Sequence, residues 1–132
     1  MRWKVAILTA SDKGAAGERE DTSAQVIREL MEEEIGGEIV EYRVVPDDQD
    51  EITAALIEIT EYYRPDLIVT TGGTGLGPRD VTPEATERVI ERKVPGLAEA
   101  MRIGAMHKTR AAMLSRGIAG IRGRTLIINL PG

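Results

Sequence analysis

The chain of 132 residues has no cysteine, no phenylalanine, one tryptophan and one histidine. Without cysteine there is no disulfide, no thiolate nucleophile and no cysteine-based metal site. His107 has no cluster of potential ligands near it in sequence and reads as a surface residue. Long apolar runs are missing as well: nothing approaches the ~20 residues of a membrane span. Met1-Arg2-Trp3-Lys4 runs straight into a strand pattern, without the apolar segment of a signal peptide. A cytoplasmic protein with no membrane partner is therefore expected. Clustered positive charge is absent too. The formal net charge of −5, with no cluster of Lys and Arg, argues against nucleic acid as a partner.

What remains is an ordinary core-forming composition, 42% hydrophobic and 30% charged. A chain of this length can bury ~65–70% of its unfolded surface in one domain. Strand and helix patterns alternate along it. Trp3 to Thr9 reads as a buried strand, and Thr22 to Ile35 as a helix with Val26, Ile27, Leu30, Met31 and Ile35 on one face, stopped by Gly36-Gly37. Glu38 to Val45 reads as a less buried strand. Asp50 is expected to cap a helix with the stripe Ile52, Leu56, Ile59 and Tyr63, closed at Arg64-Pro65. The continuous apolar run from Asp66 to Thr71 suits the centre of a parallel sheet covered on both faces. Pro83 to Ile90 and Leu97 to Met106 read as short helices, Met113 to Gly123 as a small hairpin, and Thr125 to Asn129 as the last strand. The pattern predicts one α/β domain, three layers deep (α/β/α), with a mainly parallel central sheet.

The most informative segment follows the third strand: Thr70-Thr71-Gly72-Gly73-Thr74-Gly75-Leu76-Gly77-Pro78-Arg79-Asp80-Val81-Thr82-Pro83. Gly72, Gly73, Gly75 and Gly77 let backbone N–H groups turn toward one point, Thr71 and Thr74 add hydroxyls, and Thr82 with Pro83 reads as a helix start. Strand, glycine turn and helix N-terminus in that order form an anion cradle. It is not a Walker loop, because no lysine stands between Lys13 and Lys93. A carboxylate beside a phosphate is repulsive unless a cation or proton lies between them, so Asp80 is a candidate Mg²⁺ ligand or acid/base group. In a parallel sheet the loops after the strands share one crevice. Thr9 to Asp12, Pro46 to Asp48, Thr71 to Asp80 and Asn129 to Gly132 are expected there, with Asp47 and Asp80 as the candidate catalytic pair.

The segment TTGGTGLGPRDVTPEAT resembles the signature of molybdopterin-binding proteins of molybdenum-cofactor biosynthesis, the family of bacterial molybdopterin adenylyltransferase and the matching domain of gephyrin. Leu8-Thr9-Ala10-Ser11-Asp12, Glu20-Asp21-Thr22-Ser23, Val45-Pro46-Asp47-Asp48, Val94-Pro95-Gly96, Leu114-Ser115-Arg116 and Asn129-Leu130-Pro131-Gly132 follow in the family's order. The resemblance implies ATP and molybdopterin as substrates, adenylylated molybdopterin and pyrophosphate as products, and Asp47 and Asp80 as the important acidic positions. On physical grounds Asp80 is expected as a Mg²⁺ ligand, and Asp47 as a second ligand or a group that orients the pterin phosphate end; the substrate pocket is expected to include Ser11, Asp12, Thr71, Gly72, Gly73, Thr74, Gly75, Ser115, Asn129, Pro131 and Gly132. It further implies a homotrimer and other molybdenum-cofactor enzymes as partners. Family members usually continue past Leu-Pro-Gly with a helix and a strand, so residues 1–132 are expected to form the binding domain without that wall. A non-catalytic molybdopterin-binding module and a nucleotide-pyrophosphate hydrolase stay open as alternatives. The intact Arg79-Asp80-Val81-Thr82-Pro83 segment favours the transferase.

Overall fold

The computed structural model describes residues 2–130. Its first strand, β1 (Trp3–Ala10), is buried from Val5 onward. Because side chains alternate across a strand, Ala6, Leu8 and Ala10 enter one core layer while Val5 and Ile7 enter the other. The first layer is closed by Ile52, Leu56 and Ile59 of α3 (Gln49–Tyr62) and by Ala85 and Val89 of α4 (Thr82–Val89). The second is closed by Ala24 and Ile27 of α2 (Thr22–Leu30). These layers enclose the sheet on both faces, as the sequence pattern predicts.

Beside β1 stand β2 (Gly37–Val45) on one side and β3 (Leu67–Thr71) on the other. The chain then adds β4 (Arg92–Lys93), α5 (Pro95–Ala105), β5 (Ala119–Arg122) and β6 (Thr125–Leu130). Strand order across the sheet is β2-β1-β3-β6-β5-β4. The first four strands in this order are parallel, β5 runs antiparallel to them, and β4 at the far edge pairs antiparallel with β5. The order reverses at β1, so the crevice between the carboxyl ends of β1 and β3 is the switch point where ligands of open α/β sheets bind.

Five local expectations change. The helix expected to reach Ile35 is α-helical only to Leu30, and a π turn takes over from Met31 to Ile35. A π turn holds more residues than an α turn and shifts the phase of the apolar face. Ile27 is buried, but Val26, Leu30 and Ile35 are exposed. The cap of α3 is Asp48, whose side chain accepts from Glu51 N–H at 3.0 Å, and not Asp50. A one-turn helix, α1 (Asp12–Ala15), capped by Ser11, follows β1 where only a loop was expected. Residues 110–114 form a 3₁₀ turn, and the hairpin lies later, between β5 and β6 across Gly123.

Thr82 is not the cap of α4 either. Val81 occupies that position without a side-chain bond, and Pro83 follows in the first turn. Thr82 is instead fully buried, with its N–H donating to Gly73 O at 3.1 Å. Its Oγ1 has no hydrogen-bond partner among the described residues. An unpartnered buried hydroxyl destabilises. Thr82→Val is therefore expected to raise the unfolding free energy by about 1 kcal/mol, measured by urea denaturation; a loss of stability would show that the hydroxyl is satisfied.

Candidate functional site

A cleft of about 360 Å³ opens at the switch point. That volume lies at the lower end of the ~300–1,000 Å³ of small-molecule sites. The end of β1 supplies Thr9, Ala10 and Ser11, and the end of β3 supplies Thr71, Gly72 and Gly73. Asp47 enters from the loop after β2, and Asp80 from the loop before α4. Gly14 and the segment before α2, with Arg19, Glu20, Asp21 and the first-turn residues Thr22 and Ser23, complete the wall.

The glycines divide into two pairs. Gly72 and Gly73 have φ of 89° and 72°, a region side chains rarely adopt. A Cβ on Gly72 would stand 2.4 Å from Ala10 O, and one on Gly73 would stand 2.2 Å from Thr82 Oγ1. Their first role is close packing: β3 turns off against β1, and the turn seats on the start of α4. Gly75 and Gly77 surround a different partner. Gly77 N–H donates to Asp80 Oδ2 at 2.9 Å, and a Cβ on Gly75 would lie 2.9 Å from the same oxygen. The second half of the predicted cradle thus wraps the chain's own Asp80 carboxylate, leaving Thr71 to Gly73 on the cleft.

Arg116 fixes this loop from outside. Its Nε donates to Gly75 O at 2.8 Å and its Nη2 to Asp80 O at 2.7 Å, while its own N–H bonds Thr74 O at 2.9 Å. The guanidinium also pairs with Glu84 at 2.6 Å, which holds the Glu84 carboxyl below its ordinary pKa. Arg116 is thus a clamp on the loop.

A second set of bonds ties the other loops together. Asp12 N–H donates to Asp47 Oδ2 at 3.0 Å, and Asp47 N–H donates to Asp12 Oδ1 at 3.0 Å. Arg79 then grips the Asp12 carboxylate through Nε at 3.1 Å and Nη2 at 2.8 Å. The Arg79 bonds and the Asp47 N–H lower the Asp12 pKa. Asp47 shifts the opposite way: burial, joined by the Asp12 and Asp80 charges, raises its pKa against the Asp12 N–H and Arg79, which lower it. Its carboxyl is a negative charge held where the fold disfavours one.

Asp21 forms a third knot. It accepts from Thr9 Oγ1 at 2.6 Å, from Ala24 N–H at 3.1 Å as the cap of α2, and from the Tyr42 hydroxyl. Burial pushes its pKa up, but the three donors together bring it below the ordinary value. Burial and the Asp21 charge push the Tyr42 hydroxyl up to about 12. Beyond capping α2, Asp21 ties that helix to β1 and β2. Its second role depends on Thr9 and Tyr42, which only the sheet register brings near.

Of the residues expected at the site, Ser11, Asp47, Thr71, Gly72, Gly73 and Asp80 converge on the cleft. Asp12 stands beside it with its carboxylate engaged by Arg79 and by the Asp47 N–H. Thr74 is buried beneath the loop, and Gly75 faces Asp80. Ser115 and Asn129 line a separate small cavity against α5. Asn129 is 1% exposed; its Nδ2 donates to Thr70 Oγ1 at 2.9 Å and Thr86 Oγ1 at 3.0 Å, and its Oδ1 accepts from Ile118 N–H at 3.1 Å. Burial and those bonds make it a tie between β6, β3 and α4. Pro131 and Gly132 lie outside the described residues. Among the described residues no three acidic or histidine side chains are grouped to hold a metal ion.

The family described as the probable molybdopterin binding domain matches residues 6–132, nearly the whole chain. The chain belongs to the molybdopterin-binding family. The molybdopterin adenylyltransferase of Helicobacter pylori (strain ATCC 700392 / 26695) is 44% identical over 129 residues, covering 97% of this chain and 73% of that protein. Gephyrin of Dictyostelium discoideum is 41% identical over 139 residues, covering 98% of this chain and 19% of that protein. Among solved structures, the molybdopterin biosynthesis enzyme MoaB from Thermus thermophilus superposes with a TM-score of 0.91 at 52% identity, covering 98% of this chain and 81% of that one. The resemblance and the fold expected from sequence are both upheld.

In this molybdopterin-binding chain the strain at Asp47 is testable without any ligand. Because its folded pKa is raised, the stability linked to this group is full below the unfolded value of about 3.9 and is lost as pH rises through the folded value. Asp47→Asn removes the charge and keeps an acceptor oxygen for Asp12 N–H. At pH 7 it is expected to raise Tm by about 2 °C, as roughly half a kcal/mol would in a chain of this size. The gain should close as pH falls toward 4; a variant less stable at pH 7 would contradict this electrostatic account.

Proposed function

We propose that the chain transfers the adenylyl group of ATP to molybdopterin. A phosphate oxygen of the pterin attacks the α-phosphorus, the bond to the β-phosphate breaks, and pyrophosphate leaves. The observation that carries this reading is the convergence of Asp47 and Asp80 on one cleft with Thr71, Gly72 and Gly73, in a family whose relatives bear the transferase name. Such transfer depends on in-line positioning and on neutralising charge on the leaving group.

The donor set fits Mg²⁺ in one particular way. Mg²⁺ is commonly held by one or two carboxylates together with substrate phosphates, and the cleft offers two, with Asp47 held in the unfavourable ionised state that a cation relieves. We assign Asp80 and Asp47 as the residues that would hold it, and the ion would supply charge neutralisation at the departing pyrophosphate. Asp80, fixed by Gly77 and by the Arg116 clamp on its carbonyl, positions the metal end. Ser11 and the Thr71 to Gly73 turn border the space for the substrates' polar groups.

Further expectations belong to this reading. The segment acts as a single molybdopterin-binding domain in the cytoplasm, serving molybdenum-cofactor enzymes. None of its described helices is long and apolar enough to cross a membrane. A homotrimer is supported by the apolar residues exposed on α5 and the following 3₁₀ turn, Leu97, Ile103, Met106, Met113 and Leu114. If that face is the contact, Ile103→Asp yields monomers in analytical ultracentrifugation while the parent chain sediments as a trimer; trimers persisting in the variant would move the contact elsewhere.

The assay is adenylyl transfer with molybdopterin, labelled ATP and Mg²⁺, following adenylylated pterin and pyrophosphate together. Asp80→Asn keeps an acceptor for Gly77 N–H but removes the charge. Turnover is expected to fall at least ~100-fold, with pterin affinity changed less than ~3-fold. Turnover near the parent's would remove Asp80 from the chemistry.

A further inference from the structure

A cavity of about 660 Å³ opens at the amino ends of the parallel strands, against about 360 Å³ for the cleft. The length of β1 separates the two by roughly 20 Å. Arg2, Lys4, Arg64 and Arg124 border this cavity, and Asp66 is the one acidic residue in its lining. On a chain of net charge −5, this concentrates positive charge in one concave place. Asp66 is already engaged, accepting Lys4 N–H at 2.8 Å and Arg124 Nη2 at 2.7 Å. Arg124 is thereby anchored at the rim with other guanidinium N–H groups facing outward on a side chain 67% exposed. Glu38 neighbours Lys4 in the β1–β2 ladder and offsets part of its charge.

Arg64 carries the argument further. Its φ of 49° makes it the one non-glycine residue with positive φ among those described. It sits just past the end of α3, at the left-handed position where helices favour glycine. No ion pair or hydrogen bond of its side chain is present among the described residues. The fold thus holds an arginine in a strained conformation at the cavity mouth without an internal contact to offset the strain, a pattern that accompanies functional sites. Beside it lies one exposed aromatic surface, the chain's single tryptophan, Trp3, which is 59% exposed; Tyr63 also borders the cavity, but its ring packs on the core layer of α3 and edge-on against Tyr62.

We propose that this cavity is a second binding site, for a nucleoside phosphate. The cations address a phosphate group, and Trp3 addresses a flat heteroaromatic ring, for which stacking on aromatic side chains and on arginine is the general mode. The concave volume suits a small ligand, and the acidic remainder of the surface disfavours a long polyanion. The inference is independent of the transfer reaction, since no residue of the cleft takes part.

Trp3 is also the reporter. Its fluorescence should change saturably as ADP or AMP is added to the full chain. Adenosine and inorganic pyrophosphate, each carrying half of the recognition, should bind at least ~10-fold more weakly. Arg64→Gly relieves the backbone strain, so it should keep or raise Tm while weakening the ADP response at least ~10-fold. Asp80→Asn should leave that response unchanged. No saturable change with either nucleotide, parent-like affinity in Arg64→Gly, or loss of the signal in Asp80→Asn would overturn the proposal. Pyrophosphate or adenosine binding as tightly as ADP would overturn the ring or the phosphate part of the recognition.

Discussion

The site depends on two Cβ atoms that are not there. At Gly72 a methyl group would meet the Ala10 carbonyl, and at Gly73 it would meet the buried Thr82 hydroxyl. Because both are missing, β3 turns away tightly against β1, and α4 begins directly behind the turn. That geometry sets the width of the crevice and the approach of Asp80 to it. Neither contact is an attraction in itself. Each is a steric permission that any larger residue would withdraw, at a cost of roughly 1–3 kcal/mol for the overlap alone.

Around that turn the protein gathers acidic groups that repel one another. Asp47 feels both Asp12 and Asp80, and burial adds to the effect. Arginines offset this only partly: Arg79 holds Asp12, Arg116 holds the loop through carbonyl oxygens and Glu84, and Arg19 lines the cleft. The Arg79–Asp12 pair is largely solvated, 64% and 45% exposed, and such pairs contribute little stability individually. Their effect is on position. The reciprocal backbone-to-carboxylate bonds between Asp12 and Asp47 have the corresponding effect nearer the cleft, so the loops after β1, β2 and β3 are tied to one another.

Much of this was legible in the sequence. Alternating strand and helix patterns, the continuous apolar β3 and the glycine turn after it were enough for the three-layer fold and for the end of the sheet that carries the cleft. Asp47, Asp80 and Ser11 follow strands or their loops, so topology alone brings them together. Arg116 and Asn129 could not be placed that way. Arg116 acts on residues about forty positions earlier in the chain, and Asn129 satisfies Thr70, Thr86 and Ile118 from a strand that reads as merely apolar. Local pattern also misjudged the caps of α3 and α4, where several neighbouring Asp and Thr residues could each have served. The π turn after α2 left no mark, because a change in turn width alters phase without altering composition.

The Asp80 carboxylate already occupies the backbone donor of Gly77. A loop that coordinates an anion of its own keeps its shape before any substrate arrives. The entropy of ordering its glycines is then lost during folding and is not charged against binding. Part of the loop's shape is thus set within the chain itself, between Gly77 and Asp80.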